Sequence, residues 1–195
     1  WELGLALEAS FPVHVVSLST ASVVYKVRGS AEVLKRYFPE LSRPEYKSSI
    51  TLGHNRYSTN TLSTFEQVQP FGVLGHNGEI NTIERLRREA RFLGIPLTGG
   101  SDSQDLSRVV EGMLYRFGLS LPEALDLCFP PILGEIKNYS PALQDLYMAL
   151  RQRFGPLAQG PAALVTRHRD EAVFCTDAMG LRPLWFIETE AEYIF

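Results

Sequence analysis

Cysteine is scarce in this sequence. The chain of 195 residues holds two, Cys128 and Cys175. That excludes a disulfide framework and supplies too few thiolates for a four-cysteine cluster. A reducing cytoplasm is the compartment expected of such a chain. A surplus of positive charge is also missing. Nineteen Lys and Arg face 22 Asp and Glu, a formal net charge of −3, so no nucleic-acid footprint is expected. No apolar run reaches the roughly 20 residues of a membrane span, and no basic-then-apolar leader opens the chain. Internal repeats, low-complexity tracts and Gly/Ser linkers are absent too. What remains is ordinary globular composition, 45% hydrophobic and 21% charged, and a length that fits one domain over 1–195. The chain opens on Trp1 and stops in the apolar run ending at Phe195. Both ends are expected to be cut from something longer.

Strand-like residues sit at both ends of the chain and helical periodicity in the middle. Runs 14–19, 23–27, 50–54 and 71–74 read as short strands. Ile80, Ile83, Leu86, Ala90 and Leu93 share a helical face, ended by Gly94 and Pro96. Leu106, Val109, Val110, Met113, Leu114 and Phe117 define a second helix, with Ser101 or Ser103 to cap its start and Gly118 its end. Ser120-Leu121-Pro122-Glu123 has capping-box spacing before a third helix, which Pro130-Pro131 ends. Pro141 opens a fourth through Leu143, Leu146, Tyr147, Leu150 and Phe154. Runs 162–165 and 172–175 flank a polar link and predict a hairpin. Runs 184–187 and 193–195 predict a second pair. This order argues for an α+β class and against an alternating parallel sheet.

Two polar clusters follow apolar strands: residues 53–61 (GHNRYSTNT) and 75–81 (GHNGEIN). Loops on a rigid scaffold are where sites are commonly built. Asn77-Gly78 suits a sharp turn, since glycine accepts positive φ without cost. It reads as a tight turn with an Asn cap, or as an amide beside a free N–H, the pre-aimed pair that steadies an oxyanion. Arg56 is either a structural partner of Glu66 or Glu79, or a fork for a carboxylate. Asp102 is either an N-cap or a carboxylate aimed at an ammonium group. His54 and His76 serve as structural histidines or as bases; neither has a partner at metal-ligand spacing. Cys128 and Cys175 sit among apolar neighbours and read as small buried hydrophobes, with no electropositive setting to activate them.

Taken in order, residues 18–26, 53–61, Gln69-Pro70, 75–82, Ser101-Asp102-Ser103, 160–163 and 180–183 resemble the class II glutamine amidotransferase domain of glutamate synthase. The likeness runs from about residue 13 to the end, and its specific part is 55–82. The resemblance implies an N-terminal-nucleophile (Ntn) hydrolase fold, an αββα sandwich with two antiparallel sheets between helical layers. It implies that an N-terminal cysteine attacks the γ-amide of glutamine with help from its own α-amine. Ammonia leaves, and water releases glutamate. Carried over by position, Asn77 and Gly78 form the oxyanion hole, Arg56 clamps the α-carboxylate and Asp102 receives the α-ammonium. Ser58, Thr59 and His76 shape the same pocket.

The resemblance implies no cofactor and no metal in this chain. Flavin mononucleotide (FMN) and an iron–sulfur centre are expected only in a partner synthase domain or subunit, which takes the ammonia. Neither nucleic acid nor membrane is an expected partner. The nucleophilic cysteine is expected upstream of Trp1, so residues 1–195 alone are expected to be inactive. The sequence departs from the family's usual pattern at Leu62-Ser63-Thr64-Phe65, at Asp177-Ala178-Met179-Gly180 and after Asn81, which suggests a divergent branch. Two other readings stand beside this one. One is a domain without a nucleophile that binds glutamine or a partner. The other is a class II enzyme making amino sugars, purines or asparagine, against which the Ser58-Thr59-Asn60-Thr61 and 78–82 runs argue.

Overall fold

Helix formation is clearest where apolar residues recur at i, i+3, i+4 and i+7, and there the chain obeys its sequence. The computed structural model describes residues 1–55 and 64–195. In chain order they form α1 (Glu2–Ser10), α2 (Ala31–Tyr37), a 3₁₀ turn (Pro39–Ser42), β1 (Leu74–Gly78), α3 (Ile83–Phe92), α4 (Asp102–Arg116) and α5 (Leu121–Cys128). α6 (Leu133–Ile136), α7 (Pro141–Arg153), β2 (Ala162–His168), β3 (Glu171–Thr176), β4 (Ile187–Glu188) and β5 (Tyr193–Ile194) follow. The class is α+β, with an antiparallel three-stranded sheet in the order β1-β2-β3 and a two-stranded hairpin β4-β5.

The helix ends follow local chemistry. Ser101 caps α4 by accepting from Gln104 N–H at 3.1 Å, so the N-cap is Ser101 and not Asp102. Ser120 and Glu123 complete a capping box on α5. Gly118 adopts φ +69° just past α4, the left-handed stop that glycine permits. The core joins α4 (Leu106, Val109, Val110, Met113), α5 (Leu121, Ala124, Leu125) and the inner face of the sheet (Leu74, Ala162, Leu164). Register fixes that face. Leu74 pairs with Thr166 and His76 with Leu164, and Leu164 pairs with Cys175. By alternation, Gly75, Asn77, Ala163, Val165 and Phe174 lie on the opposite face. There Phe174 stacks on Phe195 with ring centroids 3.7 Å apart.

Three expectations are corrected. Among the described residues, runs 14–19, 23–27 and 50–54 form no ladder. Their polar groups go elsewhere: Val15 N–H donates to Glu8 Oε1 at 3.0 Å, Val24 N–H to Ser17 Oγ at 3.2 Å, and Arg167 donates to Ala21 O at 2.9 Å. A β-prone segment without a neighbouring strand takes whatever donors and acceptors reach it. The strand expected at 71–74 starts at Leu74 and runs through Gly78, so His76-Asn77-Gly78 belongs to a strand. Finally, the helix expected from Ile80 begins at Ile83. Helices α1 and α2 fall where the sequence reading assigned nothing. Leu, Ala and Glu in 2–10 are good helix formers and were the available signal.

Candidate active site

β1 carries the first part of the site, and its register says where each group points. His76 N–H donates to Gln69 Oε1 at 2.6 Å, and Gln69 Nε2 donates to His76 O at 2.8 Å. The Gln69 amide thus acts as a one-residue strand on the free edge of β1 and satisfies both backbone groups of His76. Backbone N–H groups alternate sides along a strand, so Gly78 N–H leaves on that same edge, away from β2. The next two N–H groups are consumed: Glu79 donates to Pro161 O at 2.9 Å and Ile80 to Asp102 Oδ2 at 2.9 Å. The expected oxyanion pair therefore comes down to the Asn77 side chain and Gly78 N–H. Both residues are solvent-exposed.

Two glycines make this corner possible. Gly78 has φ +150°, and a Cβ there would collide with the Pro161 carbonyl. Gly160 has φ +144°, and a Cβ there would collide with the Glu79 carbonyl. Each segment approaches the other through a missing side chain. The sequence singles out the first glycine for its turn and shows the second only within the 160–163 motif.

Asp102 opens α4 and reaches across to this corner. Its Oδ2 takes the Ile80 N–H, while Oδ1 takes Ser103 N–H at 2.7 Å and lies 3.3 Å from Ser103 Oγ. A carboxylate offers about four acceptor positions, so one remains for a further donor. The turn before Asp102 is held from α3. Arg87 donates to buried Asp105 Oδ2 at 2.7 Å and to Gly100 O at 3.0 Å.

His76 is placed differently from Asn77. It lies on the inner face of β1, 2% exposed, with Nδ1 2.8 Å from Ser103 Oγ. Burial pushes its imidazole below the ordinary value, against the upward pull of the Asp102 carboxylate; His54 and Arg182 push the same way as burial. His54 and Gln69, on either side of the 56–63 run, thus both act on His76. Arg56, Ser58 and Thr59 lie outside the described residues.

Asp177 stands in the sequence only as part of a departure from the family's pattern, and its structural role was not expected. Its carboxylate accepts N–H groups from Ala162 (3.1 Å), Met179 (3.0 Å), Leu181 (3.1 Å) and Arg182 (3.2 Å). Burial alone would raise its carboxyl, but those donors together hold it below the ordinary value. An Asp four residues before Leu181-Arg182-Pro183 was the available signal: one acceptor followed by a turn with spare N–H groups.

Neither cysteine is poised to react. Burial pushes the Cys128 thiol up to about 12, with Cys175 adding to it. Burial and then Asp126 push the Cys175 thiol up to about 11. Among the described residues no group of three or more His, Cys, Asp or Glu is placed to hold a metal ion, and no helix is long and apolar enough to cross a membrane. A cleft of about 110 Å³ lined by Trp1, His14, Lys26, Gln104, Arg108 and Glu111 lies off this corner and includes none of Asn77, Gly78 and Asp102.

The structure thus ties the backbone just beyond an exposed Asn-Gly strand end to the aspartate that opens α4. The chain belongs to the class II glutamine amidotransferases, whose family pattern it matches over residues 5–195. It is similar to the glutamate synthase [NADH] of Saccharomyces cerevisiae, 35% identical over 210 residues, covering 98% of this chain and 10% of that one. It is also similar to the glutamate synthase [NADPH] large chain of Azospirillum brasilense, 33% identical over 196 residues, 90% of this chain and 13% of that one. The chloroplastic ferredoxin-dependent glutamate synthase of Oryza sativa subsp. japonica is 30% identical over 203 residues, 94% of this chain and 12% of that one. The chain thus spans 10% to 13% of the length of these relatives.

Proposed function

We propose that residues 1–195 form the glutaminase domain of a glutamate synthase, hydrolysing glutamine to glutamate and passing ammonia to a synthase region. The observation that carries this reading is the 2.9 Å bond from Ile80 N–H to Asp102 Oδ2. It brings the acid meant for an α-ammonium to a point two residues beyond Gly78. Asn77 and Gly78 N–H then steady the charge that develops on the γ-amide oxygen. Arg56 clamps the α-carboxylate bidentately, and Ser58 and Thr59 line the same pocket. The nucleophile is a cysteine upstream of Trp1, whose α-amine serves as its base. Burial of Cys128 and partial burial of Cys175 against the core, with both thiols pushed up, argue against that role for them. The fold is the Ntn-hydrolase sandwich, a reading supported by the α+β class and the two antiparallel sheets. FMN and the iron–sulfur centre are assigned to the synthase region; for the cluster, the two cysteines of this chain are too few for a four-thiolate site.

The test is ammonia release from glutamine by the full-length protein. Asn77→Ala is expected to lower kcat about 100- to 1000-fold, and Arg56→Ala to weaken glutamine binding. The isolated 1–195 chain is expected to release none. Turnover by that fragment would reinstate Cys128 or Cys175 as nucleophile. Glutamine binding without turnover by the full-length protein would favour a binding module over an enzyme.

A further inference from the structure

We propose that His76 and Ser103 form a donor chain that fixes the aim of the Asp102 carboxylate, making both of them positioning residues for the substrate's α-ammonium. This rests on the glutaminase reading and adds two residues that never touch the substrate.

The direction of the chain follows from counting hydrogens. Ser103 Oγ lies 2.8 Å from His76 Nδ1 and 3.3 Å from Asp102 Oδ1. A serine hydroxyl has one hydrogen to give, and an ionised carboxylate only accepts. If Ser103 donated to His76, its oxygen lone pairs would face the carboxylate. The arrangement that satisfies both contacts is His76 Nδ1–H donating to Ser103 Oγ, and Ser103 O–H donating to Asp102 Oδ1. In this arrangement His76 donates from Nδ1. Ser103 N–H binds the same Oδ1 at 2.7 Å and Ile80 N–H binds Oδ2 at 2.9 Å. The carboxylate is thus held on both oxygens, with one acceptor position facing a ligand.

Burial gives the chain its leverage. His76 and Ser103 are 2% and 6% exposed, so water cannot replace a lost link and a missing donor stays missing. The neighbours that tune His76 are Asp102, His54 and Arg182. His76 lies on the opposite face of β1 from Asn77, so it governs the ammonium end of the substrate and not the amide end.

The test uses the full-length protein with two substrates: glutamine, and glutaramate, which is glutamine without its α-amino group. Ser103→Ala is expected to raise KM for glutamine about tenfold, the scale of one hydrogen bond to a charged group, with kcat within about twofold. KM for glutaramate is expected to move less than about twofold, since it has no ammonium for Asp102 to meet. Ser103→Thr keeps the hydroxyl and restores KM. His76→Asn places an amide nitrogen where Nδ1 stands and retains most of the affinity, whereas His76→Leu matches Ser103→Ala. The double variant is no worse than Ser103→Ala alone, because both break one chain.

Equal losses for glutamine and glutaramate would make the two residues merely structural and overturn the proposal. So would an unchanged KM for glutamine in Ser103→Ala. Should His76→Leu fail to fold, the Ser103→Ala and Ser103→Thr pair decides alone. Wild-type protein that releases no ammonia would sink the glutaminase reading; calorimetric binding of glutamine to wild type and Ser103→Ala then decides this proposal, and no binding overturns it as well.

Discussion

Residues 162–176 and residues 11–27 carry the same kind of side chains, yet only the first stretch is sheet. Leu164 in β2 is fully buried between β1 and β3, and both of its neighbours pair with it. Val13, Leu18 and Val23 are 51%, 52% and 54% exposed, and no strand among the described residues lies beside them. Strand propensity describes how a residue fits a pleated, half-buried surface, and it has no force until such a surface exists. In 11–27 the anchoring falls to side chains. Lys26 is the clearest case, 5% exposed, its ammonium 5.0 Å from the Phe71 ring centre and donating to Glu66 O at 3.1 Å.

The sharpest way to break the ordered half is at its glycines. Gly78→Ala puts a Cβ into the Pro161 carbonyl at positive φ, and strain plus overpacking predict a loss of about 4 kcal/mol in urea unfolding. A loss below about 1 kcal/mol would show that the two segments approach less closely. The comparison itself is tested by a matched pair of truncations. Leu164→Ala is expected to cost about 3 kcal/mol, and Leu18→Ala less than about 0.5 kcal/mol. Equal costs would mean that residues 11–27 are packed as firmly as β2.

Asp177→Asn probes the turn that follows the ordered half at about 1 to 2 kcal/mol, because it weakens four N–H contacts at once. The carboxyl is held below its ordinary 3.8, so its contribution is present above that pH and is lost as pH falls through the lowered value. Asp177→Asn should flatten the acid limb of the stability curve below pH 3.8. An unchanged limb would remove the assignment.

A second pH effect is expected at Lys26. Burial holds its ammonium down to about 8 from an ordinary 10.5. Between those values the unfolded chain carries a proton that the folded chain has released, so stability rises with pH across the window. Thermal midpoints measured over that range should climb in wild type and stay flatter in Lys26→Met. A wild-type midpoint insensitive to pH there would mean that Lys26 is solvated.

Much of the ordered half was readable beforehand. Helices α4, α5 and α7 and the β2-β3 hairpin follow from periodicity, caps and a polar link, all of them interactions among residues a few positions apart. Asn77, Gly78 and Asp102 stood out as polar groups beside apolar runs. The Gln69 clamp, the Gly160 approach and the Asp177 knot did not. Each joins residues whose separation along the chain is unrelated to any local pattern, and a glutamine that imitates a strand has no signature of its own. His76 shows the limit most clearly. Its motif suggested a pocket residue, and one step of strand register turned it inward.

Sequence by itself determined which segments coil into helices and which polar residues gather in two short clusters, because 3.6-residue periodicity and capping are settled by neighbours. Tertiary structure alone decided which β-prone runs become strands and which face of β1 each cluster residue occupies. It also decided that the carboxylate opening α4 meets the backbone just beyond Gly78. Those outcomes depend on partners brought together by burial of the common core, and no stretch of chain contains its partner.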